Sequence, residues 1–325
     1  MIDLDLVFER SKLNSSFSII QPGLQIAFDS TSMGLLKECP RKYYYSIICG
    51  WRSRAESVHL TFGLHYHKAL EAYDHGKAKG MSHEDALDFA VHIALTITWD
   101  KERSRPWSAE GPASNVKNRY TLVRSIVWYL DQFADDPMET VILANGKPAV
   151  ELSFRFETSY IATTGEPFML CGHLDRLAKM DASYWILDRK TSKNALDERF
   201  MANFSPSNQM SQYSFAGKVV WNIPVQGVII DGAQLLVSGT RFRRGFCSRD
   251  DDQLNEWYHD MGLYMSIAES YARQGYWPMN DKSCGNYGGC EFQGICARSP
   301  KVRNQWLRAN YDQRLWDPLQ IRGDI

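Results

Sequence analysis

GHLDRLAKMDASYWILDRKTSK, Gly172 to Lys193, is the stretch whose reading decides the fold. Aromatic and branched residues gather from Phe168 to Leu177 and again from Tyr184 to Asp188, with polar MDAS, Met180 to Ser183, between them. Two such runs around a short polar segment are the signal of a β-hairpin. With Met180–Ser183 as the loop, Lys179 pairs with Tyr184, Leu177 with Ile186 and Asp175 with Asp188. Directly opposed residues have β-carbons about 5 Å apart and share a face. Strand side chains alternate with a period of two, so Lys190 returns to the face of Asp188. The hairpin is expected to set two carboxylates and an ammonium on one small patch.

Like charges this close need a cation between them. A hard divalent ion such as Mg²⁺ is the usual solution, held by one or two carboxylates, waters and phosphate oxygens. A nearby lysine can orient an attacking water or steady charge on a pentavalent phosphate. The plain alternative is a surface hairpin with an Asp–Lys salt bridge. GHLDR followed by LDRKTSK resembles the PD-(D/E)xK nuclease superfamily and, within it, the RecB-like branch. The resemblance implies an α/β fold of restriction-endonuclease type, a central mixed sheet flanked by helices. It also implies that Asp175 and Asp188 ligate the metal, helped by the backbone carbonyl of Arg189, and that Lys190 is catalytic. Thr191 suits the same branch.

The rest of the chain is consistent with this. The 325 residues, 44% hydrophobic and 23% charged, suit a soluble globular protein with a sizeable core. A net charge of −1 means that nucleic-acid contact must come from local patches. No apolar run reaches the length of a membrane span, and MIDLDLVFERSK carries acids where a signal peptide would be basic and then apolar. An intracellular, cytoplasmic setting is expected, in a bacterial or phage-infected host cell. Residues 1–22 read as an N-terminal arm, 23–300 as the nuclease domain, and about 75–145 as a helical insertion that could flank a DNA groove. Residues 301–325 read as a tail. Strands are expected at 24–28, 149–158 and 225–237, the last with a bend at Asp231-Gly232, and helices at 33–48, 62–73, 81–99, 118–133, 208–220 and 254–274.

Three more groups of residues carry chemistry. His67 lies four before Glu71 and four after Gly63, on one helix face, whereas His65 should point elsewhere. The resemblance makes His67 a metal ligand, and imidazole favours Mn²⁺ over Mg²⁺, so either ion is expected to serve. Gln209 and Tyr213 match the family's Q-x-x-x-Y helix on the nucleic-acid side of the site. An amide and a phenol can bind phosphate or stack on a base; a polar helix face with Tyr213 partly packed is the alternative. Arg241, Arg243 and Arg244 could contact phosphate or mark a charged edge strand.

Three cysteines at close spacing, Cys284, Cys290 and Cys296, signal metal in an intracellular chain. Four thiolates are needed for a zinc or an iron–sulfur cluster. The resemblance supplies Cys39, in KECPRKYYY, as the fourth ligand of a [4Fe–4S] cluster in region 284–296, with structural Zn²⁺ as the rival occupant. The first spacing, C-x5-C where the family commonly has C-x2-C, is a departure that bears on Cys284. Cys49, Cys171 and Cys247 read as structural, with Cys49 the reserve ligand.

The expected function is metal-dependent cutting of DNA, of exonuclease type, in recombination, replication or repair, as in stand-alone phage nucleases. No Walker A loop occurs, so any helicase is a separate subunit, and a recombinase or single-strand-binding protein is a further expected partner. The alternatives are a non-catalytic DNA-binding scaffold and an RNA nuclease.

Overall fold

The structure is a computed structural model that describes residues 16–54, 57–107 and 113–320. The start of the expected N-terminal arm and the last residues of the tail lie outside the described residues. In chain order the elements used below are β1 (Ala27–Phe28), α1 (Ser30–Glu38), α2 (Pro40–Tyr43), α3 (Val58–Ala78), α4 (His83–Ile97) and α5 (Arg119–Gln132). They continue as β2 (Val150–Ile161), β3 (Pro167–Met180), β4 (Ser183–Ser192), α6 (Asn208–Val220), β5 (Val225–Leu235), β6 (Thr240–Ser248), α7 (Asp251–Gln274), α8 (Gln293–Cys296) and α9 (Pro300–Asn310). No helix among the described residues is long and apolar enough to cross a membrane. The described residues form two compact units, one of 16–54, 154–172 and 255–320, the other of 57–153 and 173–254.

In the second unit a mixed sheet carries the hairpin. The β3–β4 ladder is antiparallel and has the register expected from the sequence, with Lys179 opposite Tyr184 and Leu177 opposite Ile186. The turn is tighter than expected. Met180 already pairs with Ser183, so Asp181 and Ala182 alone reverse the chain, and Asp181 takes a positive φ of 53°, which aspartate tolerates better than most residues. β5 adds in parallel to β4, and β6 in antiparallel to β5. The expected bend at Asp231-Gly232 is absent, because both residues sit inside paired strand, opposite Arg189 and Lys190 on one side and Arg244 and Arg243 on the other. Gly232 sits in a tight spot there: a Cβ would lie 3.1 Å from the Arg243 carbonyl oxygen.

Helices cover both faces of this sheet. On one, α3, α4 and α5 bury Phe62, Tyr66, Leu70, Ala90, Ala94, Leu122, Ile126 and Leu130 with Ala233 and Leu235 of β5. The alanines of α4 keep the helices close. Each helix begins on a side-chain cap: Ser57 for α3, Ser82 for α4 and Asn118 for α5. Such caps satisfy backbone N–H groups that have no partner within the helix. α6 packs against the sheet through Gly217, where a Cβ would meet Val225 and Ile186.

In the first unit, β1 pairs in parallel with Met169 and Leu170 of β3. Asp29 caps α1 in a capping box with Ser32, and the chain breaks at Cys39 because Pro40 opens a new helix at its first position. The helical stretch expected over 33–48, with Pro40 kinking or restarting it, does restart at Pro40 and runs on into a π-helical turn over Tyr44–Ile48. Glu269 of α7 accepts the Thr163 backbone N–H at 2.7 Å, fixing the turn between β2 and β3.

Candidate active site

The alternation of β4 sorts the side chains of Asp188-Arg189-Lys190. Asp188 and Lys190 point towards α6, and Arg189 towards α3. On the α6 side, Lys190 Nζ lies 2.6 Å from Asp188 Oδ2 and donates to Gln209 Oε1 at 3.0 Å. Gln209 Nε2 in turn donates to the Tyr213 hydroxyl at 2.9 Å, across one helical turn. Tyr213 is only 6% exposed. Its ring has no face to offer a base, and its hydroxyl holds the amide that holds the lysine.

On the α3 side, Arg189 and Asp74 form an ion pair of 2.6 Å with each side chain 2% exposed. Arg176, the arginine of GHLDR, reaches the other Asp74 oxygen at 3.4 Å. This anchorage fixes the Arg189 backbone. Its N–H donates to Asp175 Oδ2 at 2.8 Å, and its carbonyl oxygen lies 2.9 Å from His67 Nε2. The paired ladder ends at Arg176–Leu187. Asp175 therefore meets the backbone of Arg189 in place of the expected pairing with Asp188. His67 Nδ1 lies 3.3 Å from Asp175 Oδ2.

One acid that the sequence reading passed over joins this group. His67, Glu151 and Asp175 each present a ligand atom within 4.8 Å of the others. Glu151 stands at the start of β2 with a positive φ of 48°. The left-handed backbone is a strained conformation for glutamate and is the kind of distortion that re-aims a side chain at a bulge. Two carboxylates and an imidazole, with the Arg189 carbonyl alongside, make an oxygen-rich donor set. It fits Mg²⁺ or Mn²⁺, the nitrogen favouring the latter. Asp188 lies outside this set and is engaged by Lys190.

The charges are mutually dependent. Burial alone would push the Asp175 carboxyl up, but His67, Lys190 and the Arg189 N–H together hold it well below the carboxylate range. Burial, helped by the Asp175 charge, keeps Asp188 above it despite Lys190. Burial works against the His67 imidazolium too, yet Asp175, aided by Asp188, raises its titration above the ordinary histidine value. A cation must displace that proton to use the ring. Metal affinity is therefore expected to fall as pH drops through the raised His67 titration, proton release on binding rising from none above that midpoint towards one per ion below it. Calorimetry in buffers of different ionisation enthalpy measures it.

The remaining residues fall in place as follows. His65 turns from the site to lie edge-on to Trp107, ring centroids 5.5 Å apart. Glu71 is buried and paired with Lys68 at 2.8 Å. Arg244 is held by Asp136 at 2.7 Å and Asp231 at 3.3 Å, and Arg243 pairs with Glu198. Arg244 is thus a structural residue of the edge strand, whereas Arg243 pairs at the exposed surface.

Within the first unit the four cysteines share one neighbourhood. The Asn280 N–H points to Cys39 Sγ at 3.4 Å, and Asn280 Nδ2 and Ser283 Oγ both donate to the Glu38 carbonyl, at 2.8 and 2.6 Å. These bonds tie the turn at Cys39 to the segment that leads into Cys284. Cys290 and Cys296 pack beside Tyr45 and Phe292. Burial raises both thiols first; the charges of Cys39 and Cys284 push Cys290 further, and those of Cys290 and Cys39 push Cys296. Cys49, Cys171 and Cys247 are buried, and the Cys247 thiol donates to the Phe204 carbonyl oxygen at 3.0 Å.

Residues 30–297 match the family profile of the PD-(D/E)XK nuclease superfamily. The chain belongs to that superfamily. Its structure is similar to that of a protein from Eubacterium rectale named as a candidate exonuclease, at 12% identity and TM-score 0.46, covering 84% of this chain and 94% of that one. It is also similar to the structure of SSO0001, at 11% identity and TM-score 0.34, covering 91% and 96%. No curated protein sequence matches the chain.

Proposed function

We propose that this protein is a divalent-metal-dependent DNA nuclease of exonuclease type, working in recombination, replication or repair. The observation that carries the reading is the meeting of His67, Glu151 and Asp175 in a nuclease-superfamily chain that also pairs Asp188 with Lys190. Asp175, His67, Glu151 and the Arg189 carbonyl would hold the ion, with Asp188 reaching it once Lys190 turns to substrate. Such an ion lowers the pKa of water and polarises a phosphoryl oxygen. Lys190 steadies the charge that grows on the phosphate during attack. Gln209 keeps the ammonium aimed, and Tyr213 keeps Gln209 in place, so these two act as positioning residues for the lysine.

The test is incubation with labelled linear and circular, single- and double-stranded DNA, and RNA, in Mg²⁺, Mn²⁺ or chelator. Cutting of linear DNA that needs metal is expected. Binding without cutting would mean a scaffold, and cutting of RNA alone an RNA nuclease. His67→Ala should lower activity about 10-fold or more and change the Mg²⁺/Mn²⁺ preference, while His65→Ala does neither. Equal effects would contradict the assignment of His67.

The same reading gives Cys39, Cys284, Cys290 and Cys296 a [4Fe–4S] cluster, with Zn²⁺ the rival. The bonds from Asn280 and Ser283 to Glu38 and Cys39 support it, because they draw the N-terminal cysteine to the C-terminal three. Bridging such distant segments constrains the unfolded chain, worth about 5–6 kcal/mol on the loop-entropy account. Anaerobically purified protein should be brown, and Cys290→Ser should bleach it and lower the unfolding midpoint while Cys171→Ser does not. Colourless protein with zinc would move the same ligands to a zinc site.

A further inference from the structure

We propose that a pocket of about 240 Å³, where helix α3 begins, binds a phosphate group of the nucleic-acid strand other than the one being cut. The proposal rests on the nuclease reading and adds a second anchoring point for its substrate. His59, Lys117, Lys193 and Asn115 line the pocket with Ala113 and Val116.

Lys117 makes the case. Its side chain sits in the turn before α5 and is only 4% exposed. Its ammonium lies over the Phe62 ring, 5.6 Å from the centroid. Among the described residues no carboxylate, hydroxyl or carbonyl oxygen pairs with it. An aromatic face compensates a buried ammonium far less than an anion does. The other deeply buried cations nearby show the contrast: Arg189 and Arg176 share Asp74. Burial first, and the charge of Lys193 second, lower the Lys117 ammonium to about 8. Burial, Lys117 and Lys193 likewise lower His59. Three basic groups therefore face one cavity with no acid among the described residues to answer them.

The backbone adds to this field. His59 lies in the first turn of a 21-residue helix, whose N-terminus favours an anion. The pocket also stands in a fixed relation to the cutting site, since both are built on α3 and β4. His59 precedes His67 by eight residues, about 12 Å along the helix. Lys193 follows Lys190 by three residues, about 10 Å along extended chain. Between them α3 lies against the strand, where a Cβ on Gly63 would be 3.9 Å from Thr191 Oγ1. Lys190 is not among the residues that line the pocket and is held instead by Gln209 of α6, so an anion in the pocket belongs to a different phosphate. A terminal phosphomonoester and an internal phosphodiester share the required chemistry.

Two measurements on the full chain test this. The first titrates inorganic phosphate into lysine-labelled protein and follows Lys117 by NMR, its signal assigned with Lys117→Arg. Phosphate should raise the Lys117 midpoint from about 8 towards the ordinary 10.5; an unmoved midpoint at saturating phosphate overturns the site. This arm needs no nuclease activity, so its failure is separable from failure of the function. The second measures binding of oligonucleotides in chelator. Lys117→Met and Lys193→Met should each weaken binding about 10-fold and flatten the salt dependence by about one charge, while Lys117→Arg keeps most of the affinity. Lys193 is exposed, so its loss cannot be mistaken for misfolding. Loss confined to 5′- or 3′-phosphorylated ends marks a terminal phosphate, and equal loss on circles an internal one. Unchanged affinity and slope in both variants overturn the proposal.

Discussion

Lys190→Ala and Asp188→Ala are each expected to reduce cleavage by about 10³-fold or more, the scale seen when a group acting on developing charge is removed. Both variants should stay folded and still bind DNA in chelator, because each group acts at the scissile phosphate and neither side chain holds the fold together. Lys190 spans Asp188 and Gln209 at the site itself. When it is lost, the buried Asp188 carboxyl, already above its ordinary range, answers by keeping a proton. Lys190→Arg is not a conservative rescue, since a planar fork cannot occupy the compact place of an ammonium between a carboxylate and an amide oxygen. Gln209→Ala should lie between wild type and Lys190→Ala, with kcat falling and KM little changed. Rapid-quench single-turnover cleavage measures all four. A Lys190→Ala enzyme at wild-type rate would remove the site assignment.

Asp74→Ala is expected to cost about 3–5 kcal/mol of folding stability, the penalty for leaving a buried charge without its partner. Arg189 is too deeply buried to find water and, as an arginine, cannot give up its proton. The same change should weaken metal binding, although Asp74 contacts none of the proposed donors. The reason is that the Arg189 side chain clamps the backbone whose N–H meets Asp175 and whose carbonyl faces His67. Glu198→Ala, which breaks an exposed pair with Arg243, should cost no more than about 1 kcal/mol. Urea unfolding of the three proteins compares them, and similar midpoints for all three would mean that Asp74 does not hold the site.

How far the sequence foretold these parts depends on how local each is. The hairpin register follows from strand period and a four-residue polar loop, and Lys179–Tyr184 and Leu177–Ile186 pair as those features require. The alternation that sets Lys190 beside Asp188 is equally local, and so is the one-turn spacing of Gln209 and Tyr213. Glu151 was one acid in an alternating strand, AVELSFRFET, and nothing there marks its left-handed backbone. Asp74 is seven residues past His67, an ordinary helical acid until Arg189 arrives from 115 residues away. Lys117 sits in an irregular polar stretch without period, where burial cannot be read. Asp231-Gly232 has turn composition, and the neighbouring strands override it. For Glu151 and Asp74 the groups that decide the outcome, His67 and Arg189, lie far off in sequence.

The central claim is that a divalent ion sits on His67, Glu151 and Asp175 beside the Asp188–Lys190 pair. Electron paramagnetic resonance of bound Mn²⁺, titrated into wild type, Asp175→Ala, Glu151→Gln and Lys190→Ala, tests it most directly. Tight binding should be lost in Asp175→Ala and weakened about 10-fold or more in Glu151→Gln, and it should persist in Lys190→Ala. Equal Mn²⁺ affinity in all four proteins would contradict the account.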